Sequence, residues 1–294
     1  MTDATALAAP AARSFTAHRL YPMLRAGLRT AETLAPVSVA ARVAARVFCT
    51  PVPTKLATRH LPPPAGVAVE SLPFEDASLT LYRWFAAPQA PVVLMTHGWG
   101  GWALQMSALA EALAARGLAV VAVDQPAHGR SAGWRSNLAQ FTRALGYLGG
   151  RLGPLRAVVG HSAGGAAVTA ALARGLAAER WVAIAAPTDP VQVTRDYAAA
   201  FGLREATREA MVRHLEAREA MVFEQLAARH GADRLRQPAL LVHDRGDTVV
   251  PVVESLKLQA LVPQAELMLT EGLGHRRPLK DPEVVRRVAA FVAA

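Results

Sequence analysis

A serine set between glycines is the first residue of this 294-residue sequence whose surroundings could do chemistry. Residues 160–164 read Gly-His-Ser-Ala-Gly, between an apolar run at 157–159 and a stretch of small, helix-forming residues. Small neighbours let a chain turn sharply from a strand into a helix, so that the serine oxygen projects at the helix N-terminus. The helix dipole and the free N–H groups there favour a developing negative charge. The pattern therefore predicts a nucleophile at Ser162.

A serine hydroxyl is a poor nucleophile unless a base takes its proton and an acid holds that base in one tautomer. Asp247 lies in the loop that follows the apolar run 239–243. His275 follows the run 266–269 and stands directly after a glycine. Sheets of parallel strands place their sites at the carboxyl ends of the strands. The order along the chain thus predicts a triad of Ser162, Asp247 and His275.

The remaining histidines do not form a pattern that predicts a metal site. Nine histidines are present, but none belongs to a His-x-x-x-His pair or a His-Glu cluster. His97, His128 and His161 lie within glycine-containing motifs, and each is expected to stabilise a loop rather than transfer a proton. We therefore expect no metal site, and chemistry based on a serine nucleophile requires no cofactor.

Short apolar runs alternate with Ala- and Leu-rich helical stretches from residue 66 onward. Continuous apolar strands that alternate with helices are typical of a parallel sheet covered on both faces. The predicted fold class is α/β, a doubly wound and mostly parallel sheet with helices on both faces. An opening antiparallel pair is predicted at 67–72 and 79–85. The parallel strands are predicted at 92–96, 119–123, 157–159, 181–185, 239–243 and 266–269.

The chain divides into two predicted parts. Residues 1–65 form a basic helical N-terminal arm, in which Pro36 separates two helical stretches and further prolines end them. Apolar residues recur at helical spacing in both stretches, namely Leu20, Leu24, Leu28, Leu34, Val39, Val43 and Val47. Residues 66–294 form the α/β domain. Between about 188 and 237 its alternation gives way to charged helical sequence, which predicts an insertion in this domain.

The motifs of residues 66–294 resemble those of the α/β-hydrolase superfamily. Besides the serine motif, the resemblance rests on His-Gly-Trp-Gly-Gly at 97–101, Asp-Gln-Pro-Ala-His-Gly-Arg-Ser at 124–131, the acid loop at 243–251 and Gly-Leu-Gly-His at 272–275. The resemblance implies an α/β-hydrolase fold with a helical cap formed by the insertion at about 188–237. It also implies an oxyanion hole formed by the backbone N–H groups of Trp99 and Ala163.

Asp244 and Asp189 compete with Asp247 for the role of the acid. Asp244 directly follows the run 239–243, and Asp189 follows the run 181–185. In the matching loops of the superfamily the acid lies three residues beyond the first position after the strand, which favours Asp247. Asp244 is then expected to brace the loop.

Together, the triad and the resemblance imply acyl transfer to water through an acyl-serine intermediate. A small-molecule carboxylic ester is the expected substrate, while thioesterase, lactonase and perhydrolase activities on the same triad remain open. Serine at position 162 argues against dehalogenase and epoxide-hydrolase chemistry, because those members of the superfamily carry aspartate at the matching position. The alternative from a different class is a non-catalytic binding protein with the same fold, and the complete triad argues against it.

Several apolar residues have two possible roles. Trp99, Trp102 and Trp134 are candidates for shaping an acyl pocket, and simple packing is an equal alternative for the last two. A group of residues in the insertion either lines the pocket mouth or packs inward, because helical spacing alone does not separate these roles. This group comprises Met211, Leu215, Met221, Val222 and Leu226.

Composition excludes several classes of protein. Hydrophobic residues make up 52% of the chain and mean hydropathy is +0.20, which predicts a large core and excludes a disordered chain. The net charge is +9, yet no recognised nucleic-acid motif accompanies it, so we expect no nucleic-acid partner. No apolar stretch is long enough for a transmembrane helix. The single cysteine, Cys49, suits a reducing compartment and predicts a cytoplasmic protein.

The arm concentrates positive charge, because residues 1–65 hold eight Lys or Arg and only two acidic residues. Such a segment could pack on the rest of the protein or dock on an anionic membrane surface. Packing is favoured, because Leu and Val at helical spacing need only a protein surface to cover them. Peripheral membrane contact through the arm is the less favoured alternative.

Overall fold

Eight strands form one sheet in the part of the chain that the computed structural model describes, which is residues 15–16, 19–51, 54–84, 87 and 89–294. The order across the sheet is β1-β2-β4-β3-β5-β6-β7-β8. The first three neighbouring strands pair antiparallel and all later neighbours are parallel. The strands are β1 (Val67–Phe74), β2 (Ala77–Trp84), β3 (Val92–Thr96), β4 (Ala119–Asp124), β5 (Leu155–His161), β6 (Ala178–Ile184), β7 (Ala239–Asp244) and β8 (Ala265–Thr270).

The helices of the described residues belong to three regions of the chain. The arm contains α1 (Tyr21–Leu34), α2 (Val37–Phe48) and α3 (Thr54–Thr58). The helices that alternate with the strands are α4 (Ser107–Ala114), α5 (Leu138–Leu152), α6 (Ala163–Leu172), α9 (Val253–Leu261) and α10 (Pro282–Ala293). The insertion contains α7 (Pro190–Phe201) and α8 (Glu205–Glu219), followed by short 3-10 turns. None of these helices is both long and apolar enough to cross a bilayer.

All eight predicted strands are present, with ends that differ by a few residues from the predicted ones. The prediction for β5 was too short, because the charged Arg156 interrupts its apolar pattern. The Arg156 guanidinium is satisfied near the start of the strand, by the Val292 carbonyl oxygen at 2.9 Å and the Glu179 carboxylate at 2.5 Å. The predicted end of the second strand, Phe85, lies outside the described residues.

Alternating side chains along the buried strands form apolar layers on both faces of the sheet. On one face, Leu94 and Val158 belong to a cluster that also contains side chains of α5, α6 and α9. On the other face, Val93 and Val159 pack with side chains of α4 and α10. The sheet is therefore doubly wound, as predicted, and the site lies at the carboxyl ends of its strands.

The arm helices pack on the helices of the insertion. The Tyr21 hydroxyl on α1 donates to the Ala200 carbonyl oxygen at 2.6 Å, and the Tyr197 hydroxyl donates to the Ala44 carbonyl oxygen at 3.0 Å. The Arg204 guanidinium pairs with the Glu32 carboxylate at 2.7 Å. These contacts surround a third apolar cluster, which joins the arm and the insertion to Ala139 at the start of α5 and to Ala170 near the end of α6.

The buried face of the arm differs from the one that the sequence predicts. Leu28 is buried in the third cluster, but Leu34 is 79% exposed and Val43 is 36% exposed. The buried face of α2 is instead formed by small residues, Ala41, Ala44 and Ala45 among them. Alanines bring helix backbones close together, and a search for large apolar residues overlooks them. Asp3 and Arg13, which the prediction for the arm includes, lie outside the described residues.

Candidate active site

Ser162 lies at the turn between β5 and α6. Its φ of 53° and ψ of −124° place it in the left-handed region, where a non-glycine residue is strained. The flanking glycines allow this turn because the chain crowds both of them. A Cβ at Gly160 would lie 2.5 Å from the Gly164 carbonyl oxygen, and one at Gly164 would lie 2.4 Å from the His97 carbonyl oxygen. The Gly-x-Ser-x-Gly spacing thus follows from steric need.

The structure brings the three predicted triad residues together. His275 Nε2 lies 3.0 Å from Ser162 Oγ, and His275 Nδ1 lies 2.7 Å from Asp247 Oδ2. Both distances are within hydrogen-bond range. This arrangement can pass the serine proton to the imidazole while the carboxylate stabilises the resulting charge.

The Asp247 side chain is fully buried, and hydrogen bonds keep it in the ionised form. Its Oδ1 accepts the backbone N–H groups of Val249 at 2.8 Å and Val250 at 3.0 Å. Burial by itself would raise the pKa of Asp247, but hydrogen bonds from His243 and His275 together with those N–H groups hold this pKa below its ordinary value. A charged acid is what an imidazolium partner requires.

His243, which lies at the end of β7 and begins the acid loop, contacts the candidate acid, a role that the sequence did not predict. It is fully buried on β7, and its ring nitrogens contact Ser255 Oγ at 2.7 Å and the Val250 carbonyl oxygen at 2.9 Å. Its Nε2 also lies 3.4 Å from Asp247 Oδ2. A polar residue ending an apolar strand, four positions before a candidate acid, is the signal that could have revealed it.

The competing carboxylates have other partners. Asp244 accepts the N–H of Gly246, the Thr270 hydroxyl and the N–H of Leu273, each at 2.9 Å, and so braces the acid loop against the base loop as expected. Asp189 caps α7 and pairs with Arg229 at 2.9 Å. Neither carboxylate bonds to a ring nitrogen of a described histidine.

The loop that carries Trp99 is pressed against the turn at Ser162. A Cβ at Gly98 would lie 2.7 Å from the Ser162 Cβ, so only glycine permits this approach. The backbone N–H groups of Trp99 and Ala163 donate no hydrogen bond to another described residue. Ala163 is also the first residue of α6, where N–H groups are free and the helix dipole favours negative charge.

Two buried histidines hold this loop in place. His97 accepts the N–H of Gln125 at 3.0 Å through Nε2, and its Nδ1 lies 2.7 Å from the Gly98 carbonyl oxygen. His128 accepts the N–H of Gly100 at 3.1 Å through Nε2. Burial lowers the pKa of His97 well below its ordinary value and that of His128 to about 4. Both rings are therefore neutral at pH 7, as accepting a hydrogen bond requires.

Asp124, at the end of β4, anchors the loop that carries Trp99, a role that the sequence did not predict. It is fully buried and accepts the N–H of Ala103 at 2.7 Å, the N–H of Arg130 at 2.8 Å and the Tyr82 hydroxyl at 3.2 Å. Burial raises the pKa of this carboxyl to about 6, against the hydrogen bonds that lower it.

His161, next to the serine, contacts the backbone of the candidate base. Its Nε2 lies 2.9 Å from the His275 carbonyl oxygen, and the two ring centroids are 4.8 Å apart. Burial and the neighbouring His275 lower the pKa of His161 to about 3. A neutral His161 donates to that carbonyl and steadies the base loop.

A cavity of about 620 Å³ opens above Ser162 and His275. Its walls are mostly apolar, and the arm, the loop that carries Trp99 and the insertion all supply aromatic side chains to them. These side chains are Phe15, Phe48, Trp99 and Phe223.

The candidate tryptophans and the apolar residues of the insertion take different positions relative to the cavity. Trp99 lines the cavity, whereas Trp102 does not and Trp134 is 62% exposed beside Lys55. Met211, Leu215 and Leu226 are buried in the third apolar cluster, Met221 packs against it, and Val222 is 44% exposed. Within the described ranges, no three His, Cys, Asp or Glu side chains converge so as to hold a metal ion.

Comparisons with known proteins agree with this architecture. The family model described as "Alpha/beta hydrolase family" matches residues 92–288. No functionally curated protein matches the sequence.

Solved structures with a similar fold include three lipid- or thioester-related proteins. A monoacylglycerol lipase from Paleococcus ferrophilus is 21% identical with a TM-score of 0.56, over 72% of this chain and 98% of that one. A thioesterase domain from the curacin biosynthetic pathway is 20% identical with a TM-score of 0.57, over 78% and 99%. A membrane phospholipase A described as a bacterial virulence factor is 17% identical with a TM-score of 0.59, over 95% and 93%. At these identities the likeness concerns the fold.

Proposed function

The chain belongs to the alpha/beta hydrolase family, and on that basis we propose that it is a serine hydrolase that cleaves a carboxylic ester. The proposal rests on the position of His275, whose Nε2 lies 3.0 Å from Ser162 Oγ and whose Nδ1 lies 2.7 Å from Asp247 Oδ2. One imidazole that touches both a hydroxyl and a buried, ionised carboxylate is the arrangement needed to activate a serine. A structural role alone would not require it.

In the proposed reaction, His275 takes the Ser162 proton as Oγ attacks the acyl carbonyl carbon. The tetrahedral intermediate places its oxyanion at the backbone N–H groups of Trp99 and Ala163. His275 then gives the proton to the leaving alcohol as the ester C–O bond breaks, which leaves an acyl-serine. Water attacks this acyl group, with His275 as the base, and releases the acid and free Ser162. Asp247 stabilises the imidazolium in both steps.

The cavity supports a substrate with a substantial apolar part. Its volume of about 620 Å³ and its aromatic walls suit a small-molecule ester with a medium-length or aromatic acyl group. The insertion at about 188–237 acts as the cap of this site, and the arm completes the cap through Phe15 and Phe48. The reaction uses no cofactor, and we place the enzyme in the cytoplasm.

Thioester hydrolysis is the second candidate, because the same steps release a thiol instead of an alcohol. The similar thioesterase domain favours it, whereas the similar monoacylglycerol lipase favours an ester. Lactonase and perhydrolase activities on the same triad are further alternatives.

A substrate panel tests the proposal. The purified protein is assayed on p-nitrophenyl esters of two to twelve carbons and on acyl-CoAs of the same chain lengths, beside the Ser162→Ala variant. Ester turnover that exceeds thioester turnover and disappears in the variant supports the proposal. Turnover of acyl-CoAs alone supports the second candidate, and turnover of neither by a folded protein contradicts both.

A further inference from the structure

A second cavity lies between α2 of the arm and α8 of the insertion, and it shares no lining residue with the cavity above Ser162. Its volume is about 380 Å³. Four arginines and one histidine line it, and no carboxylate does. We call it the basic groove. Its basic lining residues are Arg42, Arg46, Arg135, His214 and Arg218.

Helical spacing explains why the cations converge. Arg42 and Arg46 are four residues apart on α2, as are His214 and Arg218 on α8, so each pair lies on one face of its helix. The two faces meet across the cavity. Arg135 joins them from the loop before α5.

The loop that carries Arg135 is anchored to the same helix. The Ser136 N–H donates to the Cys49 carbonyl oxygen at the end of α2, at 2.8 Å. Both Ser136 and Cys49 are fully buried. The groove is therefore built from packed elements of the arm, the insertion and the α/β domain.

Most of this charge is not neutralised within the described residues. The side chains of Arg42, Arg46 and Arg135 form no ion pair or hydrogen bond there. Arg218 pairs with the Glu219 carboxylate at 2.7 Å, but Glu219 also serves Arg143 at 2.8 Å. Converging like charges repel one another, and a bound anion would relieve this repulsion.

The lining also indicates the shape of the anion. Val39 and Val43 lie on the same stripe of α2 as the arginines, so apolar surface stands beside the cations. Guanidinium groups match phosphate oxygens with paired N–H donors, and a phosphate monoester offers three oxygens and close to two negative charges. A carboxylate offers only two oxygens to the three unpaired guanidiniums.

From these features we propose that the basic groove binds a phosphate group attached to an apolar body. The phosphate lies among Arg42, Arg46 and Arg135, and the apolar body lies on Val39 and Val43. Both a soluble phosphomonoester and the headgroup of a phosphatidic acid in a membrane have this chemistry. The proposal is independent of the reaction at Ser162.

The test compares two double variants that remove the same charge. Arg42→Gln/Arg46→Gln empties one side of the groove. Arg25→Gln/Arg29→Gln removes two exposed arginines, also four residues apart, from α1 of the same arm. Binding of octyl phosphate and of inorganic phosphate is measured by calorimetry, with thermal unfolding and turnover of a short p-nitrophenyl ester as checks on the fold.

Octyl phosphate should bind the wild type and the α1 variant alike, more tightly than inorganic phosphate does. It should bind the groove variant about 10- to 100-fold more weakly, the loss expected for charge-assisted hydrogen bonds. Rising salt should weaken the wild-type binding. Equal affinity for all three proteins, or equal loss in both variants, overturns the proposal, as does equal affinity for octyl phosphate and inorganic phosphate.

Vesicles identify the source of the phosphate. Co-sedimentation compares phosphatidylcholine vesicles with and without phosphatidic acid, again for the wild type and both variants. Binding that needs phosphatidic acid and is lost only in the groove variant identifies a membrane headgroup. Tight octyl phosphate binding without vesicle binding identifies a soluble phosphomonoester. Failure of ester hydrolysis in the wild type would leave both readouts intact, so the two proposals fail separately.

Discussion

His243 and His275 both reach the same carboxylate oxygen. His275 Nδ1 lies 2.7 Å from Asp247 Oδ2, and His243 Nε2 lies 3.4 Å from it. The second histidine is fully buried on β7, so it approaches the carboxylate from the protein interior. Asp247 is thereby held from two sides and can present one oxygen to the candidate base in a fixed direction.

Matched substitutions of Asp247 and Asp244 distinguish the candidate acid from the carboxylate that braces the loop. Asp247→Asn should lower kcat by about 10⁴, because an amide leaves His275 in the wrong tautomer. Asp244→Asn retains an acceptor oxygen for the loop, so kcat should fall far less while the free energy of unfolding drops by about 1–3 kcal/mol. Steady-state kinetics and urea unfolding of both variants check this. A larger loss of kcat from Asp244→Asn at unchanged stability would assign the acid to Asp244.

Stability should fall as the solution is acidified below pH 6.5. Burial lowers the pKa of His128 to about 4 and that of His161 to about 3, from an ordinary value of 6.5, and lowers that of His97 as well. The unfolded chain therefore binds more protons than the folded protein across this interval, so the stability present above pH 6.5 is lost as pH falls.

Asp124 opposes this trend, because its pKa is raised from 3.8 to about 6 and the folded state takes up its proton first. Because three histidines stand against one carboxyl, the free energy of unfolding should still fall as pH drops toward 5, by a few kcal/mol per pH unit. Urea unfolding at several pH values measures the slope. His128→Gln should reduce it, and substitution of the exposed His60 by Gln should not. A flat profile between pH 7 and pH 5 would contradict the neutral, buried state of these rings.

The sequence predicted the sheet well because its parallel strands are continuous apolar runs, and such runs indicate strands buried on both faces. It also predicted which serine, aspartate and histidine meet, since all three follow such strands. It did not predict the hydrogen bonds that hold the loops around the site. His97 bonds to Gln125 and Asp124 to Ala103, and these partners lie more than twenty residues apart in sequence. No local pattern encodes contacts between loops that only the folded sheet brings together.

The buried face of the arm was harder to predict, for a different reason. Its leucine and valine spacing suggested a buried stripe, yet Leu34 is exposed and alanines form the buried face of α2. Small residues carry almost no signal in a hydrophobic pattern, and their value depends on the helix that packs on them. The basic groove was likewise hidden, because its arginines come from three separate segments.

Two leucines of α1 test how the arm is held. Leu28 is 1% exposed in the third apolar cluster, whereas Leu34, on the same helix, is 79% exposed. Leu28→Ala should lower the free energy of unfolding by about 2–5 kcal/mol through lost burial and a cavity. Leu34→Ala should change it by less than about 0.5 kcal/mol. Similar small effects from both substitutions in urea unfolding would show that the arm does not pack on the insertion.

The most direct measurement of the proposed chemistry is covalent labelling by a fluorophosphonate, located by mass spectrometry of the digested protein. We expect one adduct per chain, on the peptide that contains Ser162, and no adduct in Ser162→Ala at an unchanged melting temperature. The Asp247→Asn variant should label far more slowly than the wild type. An adduct on another residue, or undiminished labelling of Ser162→Ala, would contradict the account.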